Sequence, residues 1–264
     1  MRRRSSLRRR PRDRTRFRRG ASLPSVLTSV NLFFGLLALL KSIRGEYEIA
    51  SVFIALSIVL DGLDGLVARL TGTSSDFGRE FDSLSDLVSF GIAPSVLAYC
   101  WALGDLGRLG MVATFGFTLC GALRLARFNI QTTAADRRYF VGLPIPAAAG
   151  AVAALVFYCP QPIKDPAMGA LVWLLLVTLS ILMVARVRYR SLKEFDLKAR
   201  RPYQVLLVPM LVLLAIFAWP EQVLLGIAFL YVLSGVLPRS LFPGRGDNRE
   251  GAGAMPARSG HGAE

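Results

Sequence analysis

Between Leu23 and Leu237 the chain is a succession of apolar runs, each close to the ~20 residues that an α-helix needs to cross the hydrocarbon of a bilayer. Short polar or Pro/Gly-containing breaks divide these runs and predict eight spans, at 24–43, 47–70, 79–101, 107–130, 141–159, 167–186, 203–219 and 221–237. The fifth begins at the Pro144 and Pro146 pair, and the last two are split only by Trp219, Pro220 and Glu221. The expected fold is all-α: a polytopic membrane helical bundle over 23–237, preceded by an Arg-rich arm (1–22) and followed by a tail (238–264). The tail is rich in Gly and Ala, too poor in large apolar residues to pack, and is expected to be disordered.

Composition strengthens the membrane reading, since 53% of the 264 residues are hydrophobic, too many for a soluble domain of this length. A formal charge of +14 would suit a nucleic-acid binder, but its distribution argues for topology instead. Eleven of the 32 Lys and Arg precede Gly20 and seven lie between Arg186 and Arg201. With eight spans these segments share one side with Arg79, Arg137, Arg138 and the arginines of the tail. The other side holds only Lys41, Arg44, Arg108 and Lys164. The positive-inside bias then puts both termini in the cytoplasm of a multi-pass inner-membrane protein, with the arm against anionic lipid and no nucleic-acid partner expected.

Cys100, Cys120 and Cys159 fall in apolar runs without CxxC or Cys/His spacing and read as small buried residues. The single histidine, His261, is in the tail, so a histidine base or histidine metal ligand is not expected. The chemistry concentrates in DGLDGLVARLTGTSSDFGREFDSLSD, from Asp61 to Asp86. An aspartate in the middle of a span costs about 2.5–3.5 kcal/mol on insertion scales, so several together call for compensation. Asp61 and Asp64 are three apart and Asp82 and Asp86 four apart, so each pair shares a helix face. A turn around Gly72 to Ser75 predicts an antiparallel hairpin. At ~1.5 Å rise per residue, Asp64 and Asp82 lie roughly 9 Å from it, and Asp61 and Asp86 roughly 14–15 Å. Four acids without equal cationic partners protonate or bind metal. Oxygen-only ligands suit Mg²⁺, Mn²⁺ or Ca²⁺, and two ions sharing carboxylates are an arrangement that activates phosphoryl centres. Gly65 and Gly78 either open an approach to this pocket or let helices pack closely.

The spacing D-x2-D-G-x2-A-R-x8-G-x3-D-x3-D is filled by Asp61, Asp64, Gly65, Ala68, Arg69, Gly78, Asp82 and Asp86. It resembles the motif of the CDP-alcohol phosphatidyltransferases at all eight fixed positions. The resemblance implies that Asp61, Asp64 and Asp82 bind one divalent ion and that Asp61, Asp82 and Asp86 bind a second. It implies further that Asp86 is the base that deprotonates the acceptor hydroxyl, and that Gly65, Ala68, Arg69 and Gly78 border the cytidine diphosphate of the donor. Without histidine, a carboxylate beside the alcohol is a workable general base.

DSLSDLVSFGIAPS (82–95), ALRLARFN (122–129) and YFVGLPIPAAAG (139–150) are similar to the membrane-integral, serine-accepting branch of that family, the phosphatidylserine synthases of bacteria and archaea. That branch implies CDP-diacylglycerol as donor, L-serine as acceptor, a six-helix core with two helices added, and a homodimer. Serine carries a carboxylate, and the cations available to meet it are Arg124 and Arg127, with Arg79 in the second-to-third connection and Asn129 as a further polar group. Arg124 and Arg127 equally suit lipid headgroups or the acid cluster. Glycerol 3-phosphate or inositol phosphate as acceptor would ask for more cations. A divalent-cation transporter would spread its acids over several spans, whereas these occupy one predicted hairpin.

Overall fold

The computed structural model describes residues 23–71, 76–130, 140–185, 188–189, 214–215 and 218–236. Among them seven helices are delimited: α1 Leu23–Ile43, α2 Tyr47–Thr71, α3 Asp76–Leu106, α4 Arg108–Ile130, α5 Ile145–Tyr158, α6 Pro166–Val184 and α7 Pro220–Val236. Helices α1, α2, α3, α4 and α6 are long and apolar enough to cross a membrane, whereas α5 and α7 are apolar but shorter. The architecture is an all-helical bundle whose first four helices, and α6, follow the apolar runs of the sequence closely. The predicted span 203–219 lies outside the described residues except for 214–215 and 218–219, as do the arm 1–22 and the tail 238–264.

The fifth predicted span starts later than its apolar run. Phe140 and Val141 form a two-residue strand, β1, paired antiparallel with β2, Arg188–Tyr189. The Leu143 N–H donates to the carbonyl of Leu182 at 2.9 Å, and Gly142 takes φ +90, where a Cβ would lie 2.5 Å from the carbonyl oxygen of Met183. Pro144 stays extended, and the helix begins only behind it, with Pro146 in its first turn where a missing N–H costs nothing. The resulting α5 is mostly Ala and Val and buried on nearly every side, which marks it as a central helix. Cys159, which caps its end, is exposed rather than buried.

Helix α1 packs on α2 and on α3, α5 lies against α2 and α7, and α4 lies against α3 and α6. Trp101, Phe90, Phe117, Ile54 and Leu97 are among the largest fully buried side chains. The Trp101 indole N–H is shared between the carbonyls of Cys159 and Gln161, at 2.9 and 2.8 Å, and ties α3 to the end of α5. Gly35 lets α1 and α3 touch: a Cβ there would lie 2.3 Å from the Ser89 hydroxyl and 2.8 Å from its Cα. Helix α3 widens to π geometry at Leu87–Ile92 and again at Tyr99–Leu103. The first widening precedes Pro94, which removes a backbone donor, and it starts one residue after Asp86.

Candidate active site

Helices α2 and α3 bring Asp61, Asp82 and Asp86 together, one carboxylate oxygen of each lying within 4.8 Å of the others. Asp64 is outside that group of three but in electrostatic range of it; it is buried, and its Oδ2 accepts a hydrogen bond from the Thr28 hydroxyl on α1. Of the equal-depth pairs expected from the sequence, Asp61 and Asp86 come together, while Asp64 lies outside the 4.8 Å group but in electrostatic range of Asp82. Three residues along a helix are about 60° apart around its axis, so Asp61 can face α3 while Asp64 faces α1. Among the described residues the ion pairs are Lys41 with Glu46 and Arg79 with Asp76, so none of the four acids has a Lys or Arg partner there. An oxygen-only group this tight, with no Lys or Arg ion pair among the described residues, fits a hard divalent cation such as Mg²⁺, Mn²⁺ or Ca²⁺.

The sequence reading missed the contribution of α1. Thr28 and Asn31 are three apart on one face, and both are buried. The Asn31 Nδ2 donates to Oδ1 of Asp86 at 3.4 Å. Their backbone carbonyls serve as well: that of Thr28 accepts from the Ser85 hydroxyl at 3.1 Å, and that of Asn31 from Ser89 at 3.1 Å and Ser57 at 3.3 Å. Small hydroxyl residues on α2 and α3 thus lock α1 beside the acids. The available signal was a pair of polar residues one turn apart in an otherwise apolar run.

Arg124 is half-buried on α4, in electrostatic range of Asp86 and of Tyr231 on α7. Its Nε is buried without a hydrogen-bond partner among the described residues. Tyr231 was not anticipated; with Ala228 and Val232 it forms the stripe of α7 that packs on the core. Arg127 is half-buried one turn further along α4. Asn129 donates to the Ser83 hydroxyl at 3.0 Å, which connects the end of α4 to α3 beside Asp82. Arg79 is exposed and pairs with Asp76 at 3.4 Å, turned to its own helix start rather than to the acids.

A family model described as CDP-alcohol phosphatidyltransferase matches residues 21–185. The chain belongs to this family. Among curated relatives it is 36% identical over 215 residues to a CDP-diacylglycerol–serine O-phosphatidyltransferase of Helicobacter pylori, covering 81% of this chain and 89% of that one. A Bacillus subtilis protein of the same name is 36% identical over 65% of this chain and 92% of its own. An archaetidylserine synthase of Methanothermobacter thermautotrophicus is 36% identical over 64% and 69%.

For a CDP-alcohol phosphatidyltransferase the site must admit a bulky nucleotide-linked donor. A Cβ added to Gly65 would meet nothing within 4 Å, so this glycine faces open space and is not there to pack a neighbouring helix. Gly78 is half-buried in the first turn of α3. Ala68 and Arg69 continue α2 beyond Gly65, but their side chains lie outside the described part of the structure. Helix α7, which brings Tyr231 near Arg124, lies beyond the stretch matched by the family.

Proposed function

We propose that this transferase moves the phosphatidyl group of CDP-diacylglycerol onto the hydroxyl of L-serine, giving phosphatidylserine and CMP. The observation that carries this reading is the meeting of Asp61, Asp82 and Asp86 within 4.8 Å, without a cationic partner among the described residues, in a chain of this family. The activities named for the Helicobacter and Bacillus relatives support serine as acceptor. So does Arg124, whose Nε is buried without a hydrogen-bond partner among the described residues and which is in electrostatic range of Asp86.

In this reading Asp61, Asp64 and Asp82 hold one divalent ion and Asp61, Asp82 and Asp86 a second, Mg²⁺ or Mn²⁺, with Ca²⁺ also suited to the ligands. When bound, such ions neutralise the charge of the diphosphate. Asp86 takes the proton of the serine hydroxyl. The serine oxygen bonds to the phosphorus that carries diacylglycerol, and the bond from that phosphorus to the phosphate oxygen of CMP breaks. Arg124 and Arg127 meet the serine carboxylate, with Asn129 and Arg79 at the margin. Gly65, Ala68, Arg69 and Gly78 border the cytidine diphosphate. The full architecture is eight spans over 23–237 in the inner membrane, with both termini and the site on the cytoplasmic side, and a homodimer is the assembly that the resemblance implies.

The test is product analysis of purified protein given CDP-diacylglycerol, a divalent ion and, in turn, serine, glycerol 3-phosphate and inositol phosphate. Phosphatidylserine and CMP should form with serine and stop on chelation. Preferred use of either phosphorylated alcohol would reject serine as acceptor, and full turnover in excess chelator would remove the metal. Ion uptake into proteoliposomes without CMP release would favour a transporter instead.

A further inference from the structure

We propose that Thr28 and Asn31 are positioning residues of the transfer site, holding Asp64 and Asp86 from the first helix so that each presents its remaining oxygen to metal. The proposal rests on the reading of the motif acids as metal ligands and extends it to a helix outside the motif. Each donor occupies one oxygen of its acid: Thr28 the Oδ2 of Asp64, Asn31 the Oδ1 of Asp86. A carboxylate fixed in this way has lost the freedom to rotate and offers its second oxygen in a set direction.

Three features separate this role from ordinary polar packing. Asn31 is 1% exposed and Thr28 3%, so neither side chain is there for solvent. The Asn31 Oδ1 is buried without a hydrogen-bond partner among the described residues, so the amide is poorly satisfied and stability alone would favour an apolar residue of similar size. The donors are themselves anchored, because the Ser85 and Ser89 hydroxyls of α3 bond the backbone carbonyls of Thr28 and Asn31. The Gly35 contact with Ser89 holds the same pair of helices together one turn further on. Helix α1 is thus fixed to α3, the helix that carries Asp82 and Asp86.

The test is Mn²⁺ titration of the purified full-length protein in detergent, followed by the electron paramagnetic resonance signal of free Mn²⁺, with thermal unfolding measured beside it. Thr28→Val and Asn31→Leu keep size and remove the donor, and each should weaken Mn²⁺ binding by roughly 10–100-fold. Thr28→Ser restores the hydroxyl, and Ser57→Ala removes only a bond to the Asn31 carbonyl; both should stay within about threefold of wild type, since neither removes a donor to an acid. A structural role alone would lower the unfolding temperature of Ser57→Ala and Asn31→Leu alike while leaving Mn²⁺ affinity intact, and that pattern overturns the proposal. If Asn31→Leu does not fold, Asn31→Ala gives the same comparison by opening space instead of filling it. Wild-type protein that binds Mn²⁺ no better than Asp61→Asn would overturn the metal reading itself. Tight wild-type binding lost in Asp61→Asn but kept in Thr28→Val and Asn31→Leu would reject positioning alone.

Discussion

Replacing Arg124 by Gln tests how the acceptor is chosen. The Arg124 Nε is buried without a partner among the described residues, so truncation there orphans no carbonyl or carboxylate on that nitrogen, and Gln keeps a polar group of moderate reach. A charge-assisted hydrogen bond from a guanidinium to the serine carboxylate is worth about 1.5–3 kcal/mol, or roughly 10- to 150-fold in affinity. The KM for serine should rise by that factor, with the KM for CDP-diacylglycerol changing by less than about threefold, because only the acceptor loses its partner. The assay is initial-rate kinetics in mixed micelles, repeated with serinol and ethanolamine, which lack the carboxylate and should lose less than serine does. Arg124 is also in electrostatic range of Asp86, and an arginine that served only to balance the acids would penalise every acceptor alike. A uniform loss across the three alcohols would refute carboxylate recognition by Arg124 and leave the transferase assignment standing.

Asp86→Asn keeps the shape of the side chain but cannot accept a proton, so kcat should fall by about 10²-fold or more while donor binding, measured by CDP-diacylglycerol titration, changes little. Asp61→Asn and Asp82→Asn should weaken Mn²⁺ and donor binding together, and equal donor affinity in all three variants would refute the division of roles. Gly35→Ala forces a Cβ to 2.8 Å from the Ser89 backbone, so it should cost about 1–3 kcal/mol, read as a lower unfolding temperature with loss of activity. Gly62→Ala, which meets nothing within 4 Å, should show no such clash, and equal effects of the two would contradict the close approach. A single cysteine introduced as Ser75→Cys, with Cys100, Cys120 and Cys159 replaced, should react with an impermeant reagent only from the cytoplasmic side; labelling from outside would overturn the eight-span assignment.

The motif was legible because its acids are close in sequence and helical spacing states which of them share a face. The meeting of Asp61, Asp82 and Asp86 follows from that spacing. What was not legible depends on partners far along the chain. Thr28 reaches Asp64 and Asn31 reaches Asp86 across 36 and 55 positions, and in an apolar run two such residues look like routine polar interruptions. The same holds for Tyr231, whose approach to Arg124 depends on how α7 docks against α5. Depth arithmetic counts rise along the axis and not rotation about it, so it carried no sign that Asp64 also reaches Thr28 on α1. The late start of α5 was half visible: Pro144 and Pro146 marked the place, but the pairing of Phe140 and Val141 with Arg188 and Tyr189 depends on residues nearly fifty positions away.

The four acids divide by how they are compensated, and the division bears on their roles. Each would cost about 2.5–3.5 kcal/mol in the apolar layer if left alone. Asp64 and Asp86 each receive a donor from α1, which offsets part of that cost. Asp61 and Asp82 receive no hydrogen bond or ion pair from the described residues, although they lie within 4.8 Å of Asp86 and of each other. A protein could lower that cost simply by adding donors, as it does on the neighbouring acids. Leaving these two uncompensated makes sense where something other than protein supplies the positive charge, and the resemblance assigns Asp61 and Asp82 to both ions. On that assignment an acid touching one ion could accept a hydrogen bond on one oxygen, whereas an acid serving both would need both oxygens, and Asp61 and Asp82 are the two that accept none from the described residues.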